Sequence, residues 1–356
     1  MITVSAPGRV NLIGDHTDYT GGLVLPMVLD CRTTIEGEFT ELEWDLGSAD
    51  EPERARFTPG RVDPRSLSPR WGRYVACVVD ELGRSGIETS GFRGHISTTI
   101  PIGSGLSSSA ALEVAVARLF ADRTTGVLTE AEIAQLCRRA EHAASGVPCG
   151  IMDQLCIVSG RAVHATLIDC RSLDVQHIAL PHDLDVTVEF IAPRTLAGSE
   201  YADRVEQTSR VEAIIGPLRE ARESDLVRID DPLLVRRARH VISENRRVVE
   251  FVEALASADH TALGALMVES HWSLARDFET STPTMDAAVE RLLVGAQHGT
   301  SGVLAAGGHR RVEPRRRRFS SSNSSGEIVP RSRRPSSFSS WVATSALVDG
   351  AVNVRR

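Results

Sequence analysis

No lysine occurs anywhere in the 356 residues; all 40 basic side chains are arginines. A Walker A phosphate loop requires a lysine, and so does the phosphate-pairing strand of protein kinases, so both classes are excluded unless arginine substitutes. Any phosphate handled here must be held by guanidinium groups, backbone N–H groups, hydroxyls or a metal ion. No apolar run approaches the ~20 residues that span a bilayer, and Met1–Arg9 lacks the charged-then-apolar pattern of a secretion signal. A cytoplasmic location is therefore expected. The six cysteines form no C-x-x-C pair, and six in so long a chain make no disulfide framework. At 42% hydrophobic and 24% charged, the composition is that of a globular protein.

Charge is unevenly spread. Residues 309–356 hold 11 arginines against Glu313, Glu327 and Asp349, a net +8 that leaves −15 on residues 1–308. The same tail carries 11 serines, and most of it has no helical or strand period. The body reads as mixed α and β without an internal repeat. Strands are expected at 23–29, 32–39, 95–101, 163–169 and 184–191. A helix is expected over 107–122, and a second opens at Thr129, where Thr129 and Glu132 make a capping box and Gly146 and Pro148 end it. Further helices are expected near 234–255, 261–276 and 283–293. The pattern shifts at about 170–185, which suggests a domain boundary there.

Three stretches carry chemistry. Residues 7–22 gather Arg9, Asp15, His16, Asp18 and four glycines, side chains suited to exchanging hydrogen bonds with a polyol. Residues 101–113 run a strand into Gly103-Ser-Gly-Leu-Ser-Ser-Ser109 and then a helix. Unpaired N–H groups and the positive dipole end of a helix N-terminus make an anion site, and the serine hydroxyls add donors or a magnesium ligand. In residues 138–153, Glu141 lies at the rim of an apolar stripe, where it could pair with Arg138 or bind Mg²⁺. Asp153, among Ile151, Met152 and Leu155, reads as a helix N-cap or a placed general base.

Together these stretches resemble the galactokinases of the GHMP small-molecule kinase superfamily. Arg9-Val-Asn-Leu-Ile-Gly-Asp-His-Thr-Asp-Tyr19 is similar to the galactokinase signature, and Gly103–Ser109 to the superfamily's ATP loop. Residues 196–201, 237–240 and 266–274 also read like galactokinase, and the resemblance covers about 1–303. It implies an α+β, two-domain GHMP kinase fold: a domain like ribosomal protein S5 over 1–182 and a ferredoxin-like domain, incomplete here, over 183–304. The Arg/Ser-rich residues 305–356 are expected to be a disordered tail. The implied reaction moves the γ-phosphate of ATP to the C1 hydroxyl of α-D-galactose.

The resemblance also implies roles. Asp153 is the base, and Arg9 keeps it ionised and stabilises charge on the phosphoryl group. Asp15, His16, Thr17, Asp18, Gly150 and Tyr201 contact the sugar. Gly103, Ser104, Gly105, Leu106, Ser107, Ser108 and Ser109 cradle the triphosphate, and Ser109 with Glu141 ligates Mg²⁺. A monomer that binds galactose and ATP, but neither nucleic acid nor membrane, is expected. A non-catalytic galactose/ATP sensor, or a kinase for N-acetylgalactosamine or arabinose, are the alternatives.

Two departures stand out. Position 15 is Asp where the family usually has Glu. After Leu304 the family continues into a third glycine-rich motif and an apolar strand, whereas this chain turns to Ala305-Ala-Gly-Gly-His-Arg-Arg311 and the arginine–serine tail. A reading frame shifted near residues 300–305 accounts for the abrupt change. Its expected consequences are exposed sheet edges, low stability and weak or absent activity.

Overall fold

The chain is described from a computed structural model, which covers residues 1–61, 63–121, 128–189, 191, 201–297, 302–305, 340–344 and 352–353. β1 (Ile2–Asn11), β2 (Leu23–Val24), β3 (Pro26–Thr40), β4 (Trp44–Ser48) and β5 (Ala55–Phe57) lead to α1 (Arg70–Arg84) and β6 (Gly91–Thr98). α2 (Ser108–Ala121), α3 (Glu130–Ser145) and α4 (Met152–Ser159) follow, then β7 (His164–Asp169), β8 (Val175–Ala179) and β9 (Asp185–Val188). The second half contains α5 (Tyr201–Ile215), α6 (Pro232–Ala256), α7 (His260–Ser273), α8 (Pro283–Gln297), β10 (Gly302–Ala305), β11 (Ser340–Thr344) and β12 (Val352–Asn353).

The first sheet has the order β1-β3-β6-β4-β5, and β2-β7-β8 make a second. The strands expected at 23–29 and 32–39 are instead a short β2 and one long β3. The β1–β3 register shifts between Pro7 and Arg9, where Gly8 alone stands opposite Leu29, Asp30 and Cys31, so the extra residues bulge from β3. Beside this register shift the Arg9 amide leaves the ladder and donates to the Leu106 carbonyl of the glycine-rich loop (3.2 Å).

α2 is buried on nearly every side, which its run of Ala, Leu and Val permits, and it packs on β1, β3 and α1. α3 starts as its sequence dictates: Thr129 Oγ1 accepts from the Glu132 amide (3.2 Å), and the Glu132 carboxylate accepts from the Thr129 amide (2.7 Å). Gly146, at φ 76°, ends it. α4 begins at Met152, after the Ile151 cap, and presents Asp153 in its first turn.

α6 is capped by Asp231 with Pro232 in its first turn and packs against α5 and α7. The helix expected to reach Arg276 gives way at Leu274 to a π-turn ending at Phe278. Arg237 pins that turn by donating to the Asp277 carbonyl (2.5 Å) and to Glu279 (2.6 Å). Apolar side chains of α6 and α7, including Val248, Phe251 and Met267, belong to the same core as the first sheet.

Two short strands lie within the segment expected to be a tail. β11 pairs in parallel with both β9 and β10, and β12 pairs antiparallel with β9, giving the order β10-β11-β9-β12. Residues 340–344 and 352–353 thus contribute two of the four strands of this sheet. Residues 306–339, where the third glycine-rich motif would stand, lie outside the described residues, as do 196–200.

Candidate active site

The glycine-rich loop, β1 and the start of α4 meet at one point. Gly103 and Gly105 adopt positive φ (75° and 74°), as does Ser107 (60°), whose carbonyl accepts the Ala111 amide at the start of α2 (2.9 Å). This winding puts the loop across the Arg9 side chain, whose Nη1 donates to the Gly105 carbonyl (2.7 Å). Arg9 Nε and Nη2 both donate to Asp153 Oδ1 (2.7 and 2.5 Å), and the Ser107 hydroxyl donates to Asp153 Oδ2 (2.5 Å). The helix cap at this point is Ile151, not Asp153, so the carboxylate is spent on the site. Burial opposes the Arg9 charge, but Asp153 beside it, with smaller help from Cys156 and Asp15, raises its pKa above the ordinary value. The cation is permanent.

Within the loop the roles divide. Ser104 and Leu106 are buried: Ser104 Oγ accepts from the Leu106 amide (3.4 Å), and the Leu106 carbonyl holds Arg9. Ser108 opens α2, and the Ser109 hydroxyl donates to Glu141 Oε1 (2.9 Å). Glu141 thus turns to Ser109 rather than to Arg138. Its other oxygen accepts from Gln154 Nε2 (2.6 Å), and the same nitrogen donates to Glu113 Oε2 (3.1 Å). Burial, with the Asp153 charge, raises the Glu141 pKa; burial, with the Glu141 charge, raises that of Glu113 well above the carboxylate range. Ser109 and Glu141 offer two adjoining hard oxygen donors, and no cluster of three or more ligating side chains occurs among the described residues. That set suits Mg²⁺, which takes one or two carboxylates and fills its octahedron with water and phosphate oxygens.

The second lobe of the site is the loop after β1. His16 sits at φ 63°, and its ring meets Phe278 (centroids 4.8 Å apart) and Tyr201 (5.5 Å). The Tyr19 hydroxyl and His16 Nδ1 share a hydrogen bond (3.0 Å); burial and the Asp18 charge hold the Tyr19 pKa well above the usual phenol value. Asp18 lies against Gly150, where any Cβ would overlap its carboxylate. Burial, and then the nearby Asp153 charge, push the Asp18 pKa up to about 6. Asp15 accepts from Asn11 Nδ2 (3.1 Å). Thr17 departs from the expected sugar contact. It is fully buried, and its hydroxyl reaches the Gly14 and Leu23 carbonyls (2.8 and 2.6 Å), so it closes the loop instead.

The structure therefore brings Arg9, Ser107 and Asp153 together, sets Ser109 against Glu141, and gathers Asp18, Gly150, His16 and Tyr201 nearby. Sequence reasoning missed Glu113, Gln154 and Phe278. Glu113 had a signal, a lone carboxylate inside an otherwise apolar helix; Phe278 had none, because only the π-turn delivers its ring.

Residues 73–161 match the family described as GHMP kinases N terminal domain, and residues 2–38 match the galactokinase galactose-binding signature. The chain is 41% identical over 322 residues to a galactokinase of Homo sapiens, an overlap covering 86% of this chain and 81% of that one. It is 37% identical over 293 residues to a galactokinase of Thermococcus kodakarensis, covering 82% of each. Among solved structures, Lactococcus lactis galactokinase complexed with galactose superposes with a TM-score of 0.76 at 30% identity, covering 82% of this chain and 79% of that one. Methanococcus jannaschii mevalonate kinase shares the fold at a TM-score of 0.59 and 20% identity, with 84% of each chain covered.

Proposed function

This chain belongs to the galactokinase family, and on that premise we propose that it transfers the γ-phosphate of ATP to the C1 hydroxyl of α-D-galactose. The observation that carries the reading is the Arg9–Asp153–Ser107 constellation, set between a helix-opening glycine loop and a loop of polar side chains. Phosphoryl transfer asks little covalent chemistry of a protein; it needs an in-line geometry and charge stabilisation.

Asp153, held at Oδ1 by two N–H groups of Arg9, takes the proton of the attacking sugar hydroxyl. Arg9 supplies, in a chain without lysine, the fixed positive charge facing the transferred group. The exposed amides at the start of α2 and the Ser108 and Ser109 hydroxyls receive the phosphates. Ser109 and Glu141 would hold Mg²⁺, which when bound neutralises charge on the phosphate oxygens. Asp15, His16, Asp18 and Tyr201 contact sugar hydroxyls, and Gly150 leaves the room that Asp18 needs.

The test is ADP release from ATP and Mg²⁺ with a panel of sugars, with the product identified by ³¹P NMR. Galactose is expected to give a sugar 1-phosphate, and D153A to lower kcat by about 10³-fold. Binding of galactose and ATP without turnover would mark a sensor. Faster turnover of N-acetylgalactosamine or arabinose would reassign the substrate.

A further inference from the structure

α6, more than two hundred residues away in sequence, grips the loop after β1 at both ends. Glu244 is completely buried; its Oε1 accepts from the Gly14 amide (2.9 Å), the Asp15 amide (3.3 Å) and the Ser270 hydroxyl (2.7 Å). Its Oε2 accepts from Arg247 Nε and Nη2 (2.8 and 2.6 Å). One turn earlier, His240 Nε2 donates to the Asp15 carbonyl (3.0 Å), while its Nδ1 accepts from the Ser273 hydroxyl (2.8 Å). The next residue, Asn245, accepts the Leu23 amide at the loop's far end (2.8 Å). Both peptide groups flanking Asp15 are therefore tied to one helix, directly before a non-glycine residue in the left-handed region, His16. Such a conformation persists only where its surroundings impose it.

We propose that Glu244 is a positioning residue for the sugar, acting through the Gly14 and Asp15 amides to hold the turn at His16 and so the aim of Asp15, His16 and Asp18. The proposal rests on the reading of this loop as the galactose subsite. Glu244 touches no reacting atom. Its two oxygens face donors on both sides, amides on one and a guanidinium on the other, and only a carboxylate accepts from both. A glutamine must turn its NH₂ toward one set or the other.

The test compares the full chain with E244Q and H240Q, reading the galactose Kd by calorimetry, KM for galactose and for ATP, and the melting temperature. E244Q is expected to raise the galactose Kd and KM about tenfold or more while KM for ATP stays within twofold. H240Q is expected to move galactose in the same direction by a smaller factor. Should E244Q fail to fold, H240Q, which touches the loop only at the Asp15 carbonyl, answers in its place. An active parent whose variants keep their galactose affinity, or lose ATP affinity in step with it, overturns the proposal alone. A parent that neither binds nor phosphorylates galactose overturns the functional reading, and this inference with it.

Discussion

Gly150 shows how narrowly a single residue can be constrained. The Asp18 carboxylate occupies the space where its side chain would be, so even a methyl group forces Asp18 aside. G150A is expected to raise KM for galactose at least about tenfold and leave KM for ATP within twofold; steady-state kinetics with each substrate varied will check it. Asp18 itself is held against its own ionisation. Its folded pKa of about 6 lies above its unfolded value, so the folded chain binds that proton more tightly. Stability therefore falls as pH rises between about 4 and 6, and the deficit is complete above the folded pKa. D18N abolishes it. The variant should resist denaturant better than the parent at pH 7.5, by on the order of 3 kcal/mol, and match it near pH 3.5, while turnover of galactose drops. Equal stability of the two at pH 7.5 would show that Asp18 is not strained. Polar residues such as these announce a site in the sequence; their pairing does not, because Asp18 and Gly150 become neighbours only when β1 and α4 are folded together.

Elements with strong local codes were legible. α3 needs nothing beyond its capping box, its apolar stripe and Gly146, and α2 opens directly after the glycine turn, where the spacing places it. T129A should destabilise the chain by about 1 kcal/mol and leave kcat within twofold, since the cap lies at the opposite end of α3 from Glu141; urea unfolding with parallel kinetics will decide. Where the tertiary context overrode local signals, prediction faltered. Pairing with β1 carries on through a register shift at Leu29–Cys31, so residues 26–40 form one strand where the sequence suggests a break. The π-turn at Leu274–Phe278, pinned from outside by Arg237, cut short a helix that its own sequence would have continued. The motif residues 237–240 and 266–274 resembled the family without an evident purpose. In the fold, Arg237, His240, Ser270 and Ser273 all brace the loop after β1 or the turn that carries Phe278.

At the scale of the whole molecule, the tail matters more than its composition suggests. β11 lies between β9 and β10 in the C-terminal sheet, so a chain ending at residue 339 leaves both with unpaired edges. That truncation should lower the melting temperature by more than about 5 °C or drive aggregation, as read by thermal scanning and size exclusion; an unchanged melt would show that the terminal strands add nothing. Sequencing the gene will check whether a shift of reading frame near residues 300–305 produces the change in composition that follows it.

The sequence by itself determined the chemistry available: no lysine, hence arginine, amides and hydroxyls for phosphate; a carboxylate for the proton; a polar loop for the sugar. These follow from residue type and short-range spacing, which folding does not alter. Only the tertiary structure decided which groups meet. Arg9 and Asp153 are 144 residues apart, and Glu244 lies 230 from Gly14. Contacts at such separations depend on how bulges, turns and helix packing close the chain on itself, and no local pattern encodes that.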